Sequence, residues 1–273
     1  MKKFLTFTLL AVLLITNACS RTDNDTTDND VAIVQQNSLA DAAMEDVQTI
    51  SDQGADGNLT TYRNSVADRL LFSACATITH DTASAPRMLI INFGPVDCLC
   101  GDGRMRRGSV RCSYIGAYRD AGSTHTITTD NYYVNNNKIE GTRTVVNNGI
   151  DTSGNINFSV SDNVTITFAD ADELTRTSNR TRSWIAGYST LVHSDDVYLI
   201  TGSATGTKPS GTSFTMNIIN PLRKEMSCNW IVSGLLSITP SGKLTRTIDF
   251  GNGSCDNQAQ AAVGSYSKSI TLY

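Results

Sequence analysis

The sequence predicts a mainly antiparallel β fold with a short N-terminal helix. Either a two-layer sandwich or one large curved sheet wrapped around the helix would cover its apolar faces. Three observations lead there. Threonine, serine, asparagine and glycine are abundant while proline is scarce, with 5 in 273 residues, a mixture that suits half-exposed strands joined by turns. Short alternating segments recur from Cys75 to the end without a long linker, so residues 31–273 read as one domain. A short element also repeats. Ile91-Asn92-Phe93-Gly94 leads to Cys98, and Ile248-Asp249-Phe250-Gly251 leads to Cys255.

The elements follow in order. Lys2, Lys3 and the apolar run Phe4 to Ile15 form a signal segment, too short for a spanning helix of about 20 residues. Thr16-Asn17-Ala18-Cys19 resembles a bacterial lipobox. That resemblance implies cleavage after residue 18, lipid on Cys19 and attachment to a membrane. Ser20 follows the cysteine, where inner-membrane retention would show aspartate, so an outer-membrane address is expected. Residues 19–30 are a polar, acidic tether with nothing to offset the entropy of ordering.

A helix is expected at about residues 36–52. Asn37-Ser38 could cap it, Leu39, Ala43, Val47 and Ile50 would form its apolar stripe, and Gly54 and Gly57 would end it. Strands are expected at Ala76–Thr79, Arg87–Phe93, Gly108–Tyr118, Thr124–Val134 and Lys138–Val146, the last two joined through Asn135-Asn136-Asn137. Ile156–Val160 and Val164–Phe168 read as a pair around Ser161-Asp162-Asn163. Glu173–Trp184 carries Arg176, Arg180 and Arg182 and reads as a strand with one wet face. Its Thr-Arg pattern matches Thr142-Arg143-Thr144 and Thr245-Arg246-Thr247, which suggests cross-strand ladders on a solvent face. Val197–Ser203, Ser213–Ile219, Ile231–Thr239, Lys243–Phe250 and Val263–Leu272 complete the set.

The chain has seven cysteines, and setting Cys19 aside leaves six. In an oxidising compartment these suggest up to three disulfides. The repeat argues for Cys75–Cys98 and Cys228–Cys255, leaving Cys100–Cys112 as a third. The spacing of Cys98, Cys100 and Cys112 does not suit zinc, and Asp249 to Asp256 lacks the spacing of a calcium loop. No metal or other cofactor is expected.

Cleavage removes Lys2 and Lys3, so the formal charge of −4 becomes about −6. With no basic stripe, nucleic-acid binding has little support. His80, His125 and His193 form no local catalytic motif, and there is no P-loop or Gly-x-Ser-x-Gly. No catalytic residue is nominated. The loop around Asp102, Arg104, Arg106 and Arg107 could take an anionic group. Tyr132 and Tyr133, with Tyr114, Tyr118, Trp184 and Tyr188, could offer a platform to a sugar or peptide.

The lipobox, the acidic tether, the helix, Ile91-Asn92-Phe93-Gly94, Asp102-Gly103-Arg104, Asn131-Tyr132-Tyr133 and Ile248-Asp249-Phe250-Gly251 with Cys255-Asp256 resemble exported lipoproteins of Bacteroidetes to which no chemistry is assigned. The resemblance spans most of the mature chain and implies surface capture or adhesion. The expected function is a lipid-anchored module that binds a glycan or an envelope protein without catalysis. The alternatives are a hydrolase of extracellular polymer and a structural envelope protein.

Overall fold

A computed structural model describes residues 31–55, 75–190 and 192–272. The signal segment, Cys19 and the tether lie outside the described residues. One helix, α1 (Ala32–Ala55), is followed by β1 (Thr77–Asp81), β2 (Arg87–Asn92), β3 (Cys98–Leu99), β4 (Met105–Ile115), β5 (Thr124–Val134), β6 (Asn137–Ile150) and β7 (Ile156–Thr167). Then come β8 (Glu173–Ala186), β9 (Val197–Thr207), β10 (Ser213–Glu225), β11 (Ile231–Pro240), β12 (Arg246–Asn252), β13 (Gln258–Val263) and β14 (Tyr266–Thr271). All strands belong to a single 14-stranded antiparallel sheet in which each pairs with its sequence neighbours, except that the short β3 lies beside β4. The architecture is therefore the large curved sheet, not the sandwich.

The helix supplies the second layer. Val31, Ile33, Val34, Ala40, Ala43, Met44, Val47 and Ile50 are buried, together with the polar Asn37, Asp46, Gln48 and Ser51. Such burial goes beyond one apolar stripe, because the sheet curves around the helix. One apolar cluster runs from α1 through inward residues of β2 to β14, including Leu89, Ile166, Phe214, Ile238 and Ile270. A second cluster joins Val145, Phe158, Val160, Trp184 and Tyr198, with Tyr118 packed on it. Asn37 lies inside the helix and donates from Nδ2 to the Ile33 carbonyl at 3.0 Å instead of capping it.

Curvature needs local bending. Register shifts interrupt β5–β6 between Thr128 and Tyr132, β9–β10 between Asn217 and Leu222, and β11–β12 between Ser233 and Leu235. Such irregularities bend strands and increase twist. Gly202 has φ 124°, and a Cβ there would sit 2.3 Å from the Asn179 carbonyl oxygen, so only glycine allows this close approach of β9 to β8. The expected asparagine turn holds. Asn135 and Asn136 have φ 48° and 67°, the left-handed pair that a tight hairpin requires.

Two expected boundaries change. Ser161-Asp162-Asn163 is not a turn, because β7 runs unbroken from Ile156 to Thr167. Asp162 is buried there and accepts hydrogen bonds from Arg143 and Ser178, so its charge is paired without a break in the strand. The last expected strand is the end of β13 and all of β14, which turn at Gly264.

The repeated element recurs in three dimensions. Ile91 and Ile248 are buried, as are Phe93 and Phe250. Asn92 Oδ1 accepts from the Gly94 amide at 2.8 Å, and Asp249 Oδ1 accepts from the Gly251 amide at 2.9 Å. Both glycines are left-handed, with φ 83° and 86°. The chain then reaches the disulfides Cys75–Cys98 and Cys228–Cys255. The third expected bridge is absent, since Cys100 and Cys112 are separate buried thiols. Cys112 lies 3.9 Å from His125 Nδ1, and burial pushes its thiol up to about 11.

Candidate functional site

The inner face of the sheet is unusually charged. Along β8, Leu174, Arg176, Ser178, Arg182 and Trp184 alternate inward and are buried. Arg143, Arg176, Arg180 and Arg182 therefore face the helix, and the threonines beside them face outward. This corrects the expectation of a wet arginine face. The physical cause is on α1, where Asp41, Glu45 and Asp46 point at the same sheet.

Asp41 Oδ1 accepts from Arg176 Nη1 at 2.6 Å and from Arg180 Nη2 at 2.7 Å. Glu45 lies between Arg182 at 3.3 Å and Arg143 at 3.7 Å. Asp46 receives Arg104 Nη1 at 3.0 Å, Arg106 Nε at 3.2 Å, a further Arg106 Nη2 contact and the Tyr132 hydroxyl at 2.8 Å. Arg106 also reaches Asp102, at 2.8 and 2.6 Å. Burial pulls the Asp41, Glu45 and Asp46 carboxyls upward, yet the neighbouring guanidinium groups hold all three below the usual carboxylate range. Burial, with Asp46 alongside, raises the Tyr132 hydroxyl well above its ordinary value.

The candidate anion loop is thus divided. Arg104, Arg106 and Tyr132 converge on Asp46 and seat the helix, and Asp102 braces the two arginines. Arg107 stays at the rim, where its guanidinium carbon lies 3.8 Å over the Tyr133 ring and Nη1 reaches Asp97 at 2.6 Å. Of the other aromatics, Tyr114 and Trp184 are buried, while Tyr188 is exposed. Tyr114 stacks on His125, and Tyr118 stacks on Phe158. These rings pack with one another in the interior and do not present an outward platform. Burial lowers His125 to about 4. His193 Nδ1 lies 2.9 Å from Asp196, which also accepts from Trp184 Nε1 at 3.1 Å. Among the described residues no group of three or more His, Cys, Asp or Glu side chains is placed to hold a metal ion.

The outer face is different in kind. One rank of side chains runs Thr128, Thr142, Asn163, Thr177, Thr205, Thr215 and Thr239 from β5 to β11, each directly paired with the next. A second runs Thr126, Thr144, Ser161, Asn179, Ser203, Asn217, Ser237 and Thr247 from β5 to β12. Both consist wholly of hydroxyl and carboxamide groups. Opposed side chains across antiparallel strands stand about 5 Å apart. The first rank leads into a groove of about 770 Å³ lined by Asn163, Thr175, Thr177, Thr205, Thr207, Ser213, Thr215, Thr239, Ser241 and Lys243, together with Arg176, Phe214 and Pro240. No carboxylate or histidine lines it. The expected solvent-face ladders hold for the threonines of the Thr-Arg pattern and not for its arginines, and the groove depends on how β8 to β11 and the β11–β12 turn come together.

No protein-family model matches the chain, and neither does any curated protein or solved structure.

Proposed function

We propose that this chain is a non-catalytic binding module of the bacterial envelope, anchored by lipid on Cys19, whose outer β-face holds a neutral glycan. The observation that carries the reading is the first rank of hydroxyl and amide groups, which enters the groove of about 770 Å³. That volume suits a ligand of several rings. Hydroxyl and carboxamide groups both donate and accept hydrogen bonds, as sugar hydroxyls do. An apolar ligand would leave those groups unsatisfied, and a strongly anionic one would meet only Lys243 and the inward-paired Arg176. Hydrolysis has less support. A glycosidase needs two carboxyl groups about 5–9.5 Å apart across the bond, and the groove lining offers none.

The test uses the soluble chain from Ser20 onward, passed over insoluble neutral polysaccharides and over charged ones. Retention on a neutral polymer, with no reducing ends released, is the expected result. Retention on no polysaccharide would overturn the proposal.

A further inference from the structure

A cavity of about 70 Å³ lies between α1 and the inner face of the sheet. Asp41 and Glu45 line it from the helix, and Arg143, Arg180 and Lys224 from the sheet. Ser38 and aliphatic and aromatic side chains form the remaining wall, and the exposed Asn229 stands at one side.

Its lining carries three cations, Arg143, Arg180 and Lys224, against two carboxylates, Asp41 and Glu45, and the wider cluster is likewise cationic. Arg143, Arg176, Arg180, Arg182 and Lys224 are gathered beneath the helix. The carboxylates within pairing distance of them are Asp41, Glu45 and Asp162. Asp52 lies further along α1, accepts from Gln48 at 2.7 Å and also influences Arg182. Counting it still leaves one more cation than anions. Arg176 and Arg180 share a single oxygen of Asp41. Arg143 is committed to Asp162 through Nε and Nη2, at 2.7 and 3.1 Å. Lys224 donates to the neutral Cys228 carbonyl at 2.5 Å.

Donors are left over as well. Nε of Arg180, Nε of Arg182, and Nε and Nη2 of Arg176 are buried and have no hydrogen-bond partner among the described residues, nor has Glu45 Oε1, and of these residues Arg180 and Glu45 line the cavity. The Arg180 side chain, which lines the cavity, is only 8 % exposed. Buried cations with unused donors are costly unless an anion meets them. We propose that this cavity binds one small monovalent anion of chloride size, held by Lys224, Arg180 and Arg143. A water's share of liquid volume is about 30 Å³, so the space is large enough for one small ion. Burial lowers the Lys224 ammonium to about 8, and a bound anion would raise it again.

Bromide replaces chloride and can be located by its anomalous scattering. Crystals of the chain from Ser20 onward, soaked in sodium bromide, should show a bromide peak inside the cavity against Lys224 and Arg180. Bromide found only at the protein surface, or water alone in the cavity, would overturn the proposal. In solution, sodium chloride should raise the melting temperature by a few degrees over sodium gluconate at equal ionic strength, and the gain should saturate. Lys224→Met should abolish that difference, and its persistence would count against the site. If Lys224→Met does not fold, the bromide map of the unaltered chain decides.

Discussion

Arg106 on β4 and Asp46 on α1 form a two-pronged buried pair, with Nε 3.2 Å from Oδ2 and Nη2 against Oδ1. The two residues are 60 positions apart in sequence, and Arg106 is fully buried. The pair fixes the register of the helix against the sheet. Breaking a buried pair costs up to about 3–5 kcal/mol, an upper bound here because Asp102 still holds Arg106 and Arg104 still holds Asp46. Asp46→Asn and Arg106→Met should each lose stability within that bound in urea unfolding. Tyr132→Phe removes one hydrogen bond to the same carboxylate and should cost about 1–2 kcal/mol. Arg107→Ala, at the rim, should stay within about 1 kcal/mol.

Acid should loosen the protein in two stages. His125 titrates near 4 in the fold, below its ordinary 6.5, because burial disfavours its cation. A neutral buried histidine stabilises the fold above pH 6.5, and that contribution is lost as pH falls from 6.5 toward about 4. Its size is about 3 kcal/mol at 1.36 kcal/mol per unit. His193 has the opposite sign, since its raised value favours the folded state at lower pH. The carboxyls of Asp41, Glu45 and Asp46 are held low, so their contribution persists above about pH 4 and is lost only below it. Urea midpoints should therefore fall between pH 7 and 5 in the unaltered chain. They should fall less in His125→Phe. Equal slopes would contradict the assignment.

The cysteines give a chemical check on the repeat. Non-reducing peptide mapping should recover Cys75–Cys98 and Cys228–Cys255 as linked pairs. Cys100 and Cys112 should react with an alkylating agent only after unfolding. Removing either bridge with serine should cost about 2–5 kcal/mol. A Cys100–Cys112 link would contradict the structure.

How far the fold could be read follows from what each signal measures. The repeated Phe-Gly-to-Cys element was legible because its turn is local, an Asn or Asp side chain bonding two residues ahead. The hairpin at Asn135-Asn136 was legible for the same reason. The arginine face of β8 was misread because charge was taken as a mark of solvent. Parity held the better signal. Arg176, Arg180 and Arg182 share phase with Leu174 and Trp184, and Asp162 shares phase with Val160 and Val164. The partners of these arginines on α1 lie more than 100 residues away, for example 135 from Asp41 to Arg176. No local pattern announces such a pairing. The outer threonines were placed correctly, since alternation sets their face. The groove they enter depends on sheet curvature, which bulges introduce and propensity does not report.

The claim that binding belongs to the outer groove is tested most directly by pairing two surface variants. Thr205 is exposed at the middle of the first rank, and Arg107 lies over Tyr133 at the rim of the loop that looked most like a ligand site. Neither change should move stability by more than about 0.5–1 kcal/mol. Affinity for the retained neutral polysaccharide should fall at least tenfold in Thr205→Arg, which fills the groove with a long cation, and should be unchanged in Arg107→Glu. Loss of affinity in Arg107→Glu with full binding by Thr205→Arg would contradict the account.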